Sequence, residues 1–281
     1  RDRINTQNNN EPQTDISLQI PLGKDLETPI PLVPRQEQII RHSGYTVSYN
    51  KDLKIPNWVS YELTREETKG KEKRGNRFIA DPLVTGPIAT NADYTRSGYD
   101  KGHMAPAADM KWSPEAMKES FYFSNMSPMI HSFNSPYWAE FEEQVRKWGG
   151  AEKDFTTTYS KLYVVKGGAL NELLVSYTGQ KNGGDNIKPT TDANGFTKGG
   201  LACPKYYFMA VLSETDGAYH AIGFRVEHKE YSKAPTLEEL KASALSIDEL
   251  EEKTGIDFFC NLPDDLENTV ESSMNLDDWA W

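Results

Sequence analysis

The stretch Ser97-Gly-Tyr-Asp-Lys-Gly-His-Met-Ala-Pro106 decides how the rest of the chain is read. An apparent strand over Tyr94–His103 passes Gly98 and Gly102 and leads into a loop at His103, with Asp100 and Lys101 just before it. Imidazole changes charge near neutral pH, which suits it to take a proton from water. A lone histidine is more often a packing or surface residue. Chemistry at His103 therefore requires partners further along the chain.

Two segments supply candidates. Phe123-Ser-Asn-Met-Ser-Pro128 leads to Asn134-Ser-Pro-Tyr-Trp-Ala-Glu-Phe-Glu-Glu143. Ser135-Pro136 is a helix-start signal, and Gly149-Gly150 stops the same helix after Trp148. Within it Trp138, Glu142 and Arg146 are four apart and share a face. By itself this has an ordinary explanation, with Asn134 as a turn or capping residue and Glu142–Arg146 as an exposed i,i+4 ion pair. It also has a chemical one. An amide oxygen with several waters is a hard-donor set that suits Mg²⁺.

Outward from this centre, Tyr45–Tyr49 and Trp58–Leu63 alternate β-branched and aromatic residues as strands do. Leu162–Val165, Tyr206–Leu212 and Tyr219–Val226 read as further buried or half-buried strands, and Thr178–Gly200 as a long surface loop. Ser113-Pro114 opens one helix, Ser246 and Glu249 stand in capping-box register for another ending at Gly255, and Leu262–Ser272 is a third. Strands and helices are interspersed without a βαβ rhythm. The expectation is an α+β fold with a mainly antiparallel sheet and flanking helices. Residues 1–40, rich in Asn, Gln, Asp and Pro, read as a flexible N-terminal arm, and 41–275 as a single domain.

Composition narrows the function. The net charge of −11 argues against a protein that coats nucleic acid electrostatically. It does not argue against an enzyme with a local basic cleft, because the acidic residues gather late, in Glu238–Glu252 and Asp264–Asp278. No apolar run of about 18 residues is long enough to span a membrane. Cys203 and Cys260 form no CxxC pair, so they are either two buried thiols or one disulfide closing a long loop.

Taken in order, the motifs resemble those of the DNA/RNA non-specific endonucleases of the ββα-metal, or His-Me finger, class, a group that includes mitochondrial endonuclease G and secreted sugar-non-specific nucleases. The family's Asp-Arg-Gly-His is matched by Asp100-Lys-Gly-His103, its Asn-x-x-Pro by Asn125-Met-Ser-Pro128, its Asn-x-x-x-Trp by Asn134-Ser-Pro-Tyr-Trp138, and its helical Glu by Glu142. Tyr45–Tyr49, Thr254–Phe259 and Asn261-Leu-Pro263 extend the match to roughly Tyr45–Leu266.

The resemblance implies a ββα-metal motif with His103 as the base that activates water. Asn134 would be the one direct protein ligand of Mg²⁺, or of Mn²⁺ in its place, with water filling the other positions. Glu142 would hold some of those waters, and Arg146 would face the phosphate. Asn125 would support the loop or a hydrogen bond of the site. Arg74 matches an arginine that stabilises the charged phosphorane, with Arg77 near enough to be an alternative. Lys101 stands where the family has arginine, a point charge in place of a planar fork.

The implied activity is metal-dependent hydrolysis of DNA and RNA, leaving 5′-phosphates. The alternative is a nuclease-like protein that binds nucleic acid and cuts poorly. Some relatives are dimers, so a homodimer is one expected assembly. The start at Arg1, the disulfide option and the family resemblance together suggest a secreted, periplasmic or cell-surface protein.

Overall fold

The computed structural model describes residues 25–151, 159–182 and 186–281. Their strands are β1 (Ile30–Pro31), β2 (Gln38–Arg41), β3 (Thr46–Asn50), β4 (Ile55–Thr64), β5 (Asp100–His103), β6 (Met126–Met129), β7 (Lys161–Gly168), β8 (Tyr206–Thr215), β9 (Ala218–Glu227), β10 (Ala244–Leu245) and β11 (Ile256–Asp257). The α-helices are α1 (Arg65–Thr68), α2 (Asn91–Tyr94), α3 (Pro114–Glu119), α4 (Ala139–Trp148), α5 (Leu237–Ala242), α6 (Ile247–Thr254) and α7 (Asp264–Ser272).

Seven strands form one sheet in the order β10-β9-β8-β7-β4-β3-β2, and every neighbouring pair is antiparallel. Side chains alternate across a strand, so each strand serves two faces. On β8, Tyr207, Met209 and Val211 join Val47, Tyr61, Leu63 and Val164 in a core closed by Phe133, Trp138, Phe141, Val145 and Trp148 from α4 and the turn before it. The intervening Phe208, Ala210 and Leu212 pack with Trp58 and Val165 against Ile247 and Leu250 of α6 and Val270 of α7. Both faces of the sheet are therefore covered, one by α4 and the other by α6 and α7. The expected α+β architecture is the one observed.

The helix signals act as read, with small changes. Ser113 caps α3 by accepting from the Ala116 amide. Ser246 caps α6 and Gly255 ends it with φ 70°, a conformation that favours glycine. Ahead of α4, Phe133–Trp138 is an irregular turn in which Ser135 is extended (φ −148°, ψ 118°). The regular helix therefore begins beyond Pro136, at Ala139.

Two expectations change. Residues 1–24 of the expected N-terminal arm lie outside the described residues, but residues 25–40 belong to the fold. Leu26 is buried, Ile30–Pro31 pairs with β11, and Gln38–Arg41 is the edge strand of the large sheet. Polar composition misled here because an edge strand needs backbone partners more than apolar side chains. Cys203 and Cys260 are both buried thiols and no disulfide joins them. Cys203 lies beside Tyr207 in the α4-side core, and Cys260 donates to the Thr28 carbonyl at 3.6 Å.

Candidate active site

His103 ends β5, which pairs antiparallel with β6 as a small separate ribbon, His103 opposite Met126 and Asp100 opposite Met129. Gly102 lets the two strands close. A Cβ there would collide with the Met129 thioether and come within 2.9 Å of the Ser127 carbonyl. Beyond His103 the chain is pinned by Asn125, which is fully buried. Its side-chain oxygen accepts from the Ala105 amide (2.9 Å), and its amide nitrogen donates to the carbonyls of Ala105 (3.0 Å) and Ser120 (2.9 Å). Asn125 thus holds the loop behind the histidine and reaches no further.

The imidazole stands between two aromatic rings, Phe121 (centroids 4.7 Å apart) and Phe78 (5.8 Å). His103 is half-buried as a residue, but its Nε2 is shut off from solvent and has no hydrogen-bond partner among the described residues. Burial, with the nearby Arg74 charge, pushes its pKa down to about 3. At neutral pH it is therefore an uncharged base. Two cations rest on the same rings: Lys101 Nζ is 4.2 Å from the centre of Phe78, and the Arg74 guanidinium carbon is 5.4 Å from the centre of Phe121. Lys101 also donates to Asn91 Oδ1 at 2.9 Å. Arg77 instead lines a cavity of about 280 Å³ with Ile79, Met117 and Phe121. Of the two arginines, Arg74 is the one whose charge acts on His103.

Asn134 sits in the turn before α4, where its amide nitrogen donates to Asp100 Oδ2 at 3.0 Å. His131 Nδ1 shares that oxygen at 2.8 Å, and Asn182 donates to Asp100 Oδ1 at 3.2 Å. The Asp100 bond engages the nitrogen end of the Asn134 amide, so the end that would face a cation is the carbonyl oxygen. That oxygen and water, with the Glu142 carboxylate acting through water, make a hard-donor set that fits a Mg²⁺-type ion.

Glu142 and Arg146 point inward rather than forming an exposed pair. Arg146 Nε donates to Asp109 Oδ1 at 2.8 Å, and the Tyr61 hydroxyl donates to the other Asp109 oxygen at 2.7 Å. Glu142 lies 3.8 Å from the ammonium of Lys166, whose side chain has no exposed surface. Burial pushes Glu142 up to about 6 against the opposing pull of Lys166 and Arg146. Asp109, Tyr61 and Lys166 escaped the reading of the sequence, as did the aromatic pair Phe78 and Phe121. Lys166 left one trace: a lysine in the inward row of a strand otherwise filled by Leu162 and Val164.

Comparison with known proteins agrees. Residues 23–265 match the family model for DNA/RNA non-specific endonucleases. The chain is 30% identical over 230 residues to the Nuclease of Syncephalastrum racemosum, covering 80% of this chain and 68% of that protein. It is 27% identical over 220 residues to the mitochondrial Nuclease EXOG of Danio rerio, covering 78% of this chain and 60% of that protein. It is 28% identical over 240 residues to the mitochondrial Nuclease 1 of Schizosaccharomyces pombe, covering 82% and 68%. The fold resembles a solved EndoG/EndoGI complex, with a TM-score of 0.65 over 83% of this chain and 89% of that one at 24% identity.

These relatives correct the expected location. Those named with a compartment are mitochondrial, which points away from a secreted, periplasmic or cell-surface protein. The unbridged thiols also remove the disulfide that favoured an oxidising compartment. No helix among the described residues is long and apolar enough to cross a membrane. With the family model spanning most of its length, and with the histidine ribbon and the asparagine-led helix in family order, this chain belongs to the DNA/RNA non-specific endonucleases.

Proposed function

We propose that this chain is a Mg²⁺-dependent endonuclease that hydrolyses the phosphodiester backbone of both DNA and RNA, with His103 as general base. The observation that carries this reading is the Nε2 of His103, buried, without a partner among the described residues, and flanked by two rings that each carry a cation. Leaving a buried polar atom unpaired costs roughly 1–3 kcal/mol. A proton-accepting role in the reaction accounts for that cost.

His103, uncharged at neutral pH, takes a proton from water as the water oxygen bonds to phosphorus and the bond to the 3′ oxygen breaks. Asn125 keeps the imidazole from drifting by holding the Ala105 backbone on both sides. Arg74 and Lys101 balance the charge that builds on the phosphoryl oxygens, and Arg146, fixed by Asp109, supports the same charge from α4. Asn134, with Glu142 behind it through water, would hold the metal ion, which supplies charge stabilisation at the leaving oxygen. These groups serve phosphate and water rather than base edges, and contacts to phosphate carry no direct sequence information. No step needs a 2′-hydroxyl, so DNA and RNA both serve.

The test is cleavage of supercoiled plasmid and of RNA in Mg²⁺ and in EDTA, with His103→Ala alongside. Wild type should degrade both polymers only with Mg²⁺, and the variant should lose a hundredfold or more, as removal of a general base does. Binding of both polymers without cleavage under any divalent metal would replace this reading with the binding-protein alternative.

A further inference from the structure

Lys166 has no task in the proposed reaction, yet its placement is costly. On β7 it continues the inward row of Leu162 and Val164 toward α4, and its cross-strand neighbours are Val59 and Met209. An apolar side chain would suit that position, whereas an ammonium there has lost its water. Its Nζ makes no hydrogen bond among the described residues, and lies 3.8 Å from Glu142 Oε2 and 5.4 Å from the centre of the Tyr61 ring. The other charges nearby are already committed, Asp109 holding Arg146 with one oxygen and the Tyr61 hydroxyl with the other. The pair left over is Lys166 and Glu142.

The 3.8 Å separation matters. It is close enough to balance charge and too long for a hydrogen bond. A lysine acts here as a point charge, whereas an arginine fork would occupy the carboxylate oxygens. We propose that Lys166 is a positioning residue of the nuclease site: it sets the place of the Glu142 carboxylate from beneath while leaving its oxygens open to accept hydrogen bonds from water. This rests on the role of Glu142 in the proposed function.

The test combines Lys166→Met, Glu142→Gln and the double variant, with three readouts: thermal unfolding in EDTA, Mn²⁺ binding by calorimetry without nucleic acid, and kcat and KM for DNA cleavage in Mg²⁺. Lys166→Met should stay folded, bind Mn²⁺ about 10–100-fold more weakly and lose kcat by a similar factor, the range expected for groups that orient metal-bound waters. Its KM for DNA should change less than about twofold, since Lys166 touches no substrate. In the Glu142→Gln background, Lys166→Met should change neither Mn²⁺ binding nor kcat by more than about twofold, because the two residues act as one unit. If Lys166→Met does not fold, Lys166→Gln carries the same comparison.

Wild-type Mn²⁺ binding and kcat in Lys166→Met would overturn the proposal. So would an equal loss in both backgrounds, which would make Lys166 a purely structural residue. A wild-type protein that neither binds Mn²⁺ nor cuts DNA would instead overturn the proposed function itself.

Discussion

His103 and Glu142 have their protonation pushed in ways that would separate their contributions to the rate in the proposed reaction. His103, held near 3 by burial and Arg74, is already a neutral base across the physiological range. Of these two groups Glu142, raised to about 6 by burial, is the one that titrates nearer neutral pH. As pH falls Glu142 gains a proton and loses its charge, so kcat/KM should fall on the acid side, with an inflection no higher than about 6 because the charge of the metal ion favours the carboxylate. In Glu142→Gln that inflection should vanish from the pH profile while a lower, flatter rate remains. An unchanged inflection in the variant would assign the acid limb to another group. The motif residues were legible because their order along the chain is itself the signal. Lys166 and Asp109 were not, because their roles come from partners such as Glu142 and Arg146 on other elements.

The β5–β6 ribbon shows how one element sets the site. The two strands approach so closely that only glycine fits at position 102, with Met129 and the Ser127 carbonyl facing where a Cβ would stand. Gly102→Ala should force the strands apart, destabilising the protein by about 1–3 kcal/mol as overpacking does. It should also cut activity more than stability alone accounts for, since His103 is the next residue. Denaturant unfolding paired with the cleavage rate of the folded fraction checks this. The sequence signalled a strand end through Tyr94–His103; in the structure only Asp100–His103 is strand, Tyr94 closes α2, and 95–99 is turn between them. The reason is local, because Thr90 and Asp93 form a reciprocal cap that begins a helical turn at Asn91. Helix α4 was legible from Ser135-Pro136, whereas its inward turn of Glu142 and Arg146 came from packing against β4 and β7.

Across the whole molecule, His42 joins segments far apart in the chain. Its Nε2 meets Asp81 at 2.6 Å and its Nδ1 meets Glu119 at 2.9 Å, with all three side chains largely buried. Burial alone would lower the His42 pKa, but the two carboxylates outweigh it and hold it above its ordinary value of 6.5. Asp81 is held below its ordinary value: burial would raise it, and His42 and Ser124 overcome that. Linkage gives the sign. The His42 contribution is complete below about 6.5 and is lost as pH rises through the raised folded value. The Asp81 contribution is lost only as pH falls through its depressed value. Replacing His42 leaves two buried carboxylates without their cation, so His42→Gln should cost about 3 kcal/mol near pH 6. The gap between wild type and variant in denaturant unfolding should narrow as pH rises through the raised folded value. A gap independent of pH would mean that His42 contributes by packing alone.

By itself the sequence determined the family, the candidate histidine and asparagine of the site, the helix starts and the sheet-forming strands, because each depends on residues near one another or on motif order. Only the tertiary structure decided that residues 25–40 close the fold through pairing with β3 and β11, and that the two cysteines stay unbridged. It alone gave Arg146 to Asp109 rather than to Glu142, and set a buried lysine from β7 beneath the carboxylate of α4. Each of these depends on which face of a strand or helix meets which distant neighbour. A chain fixes that only once its two cores have packed on opposite sides of the sheet.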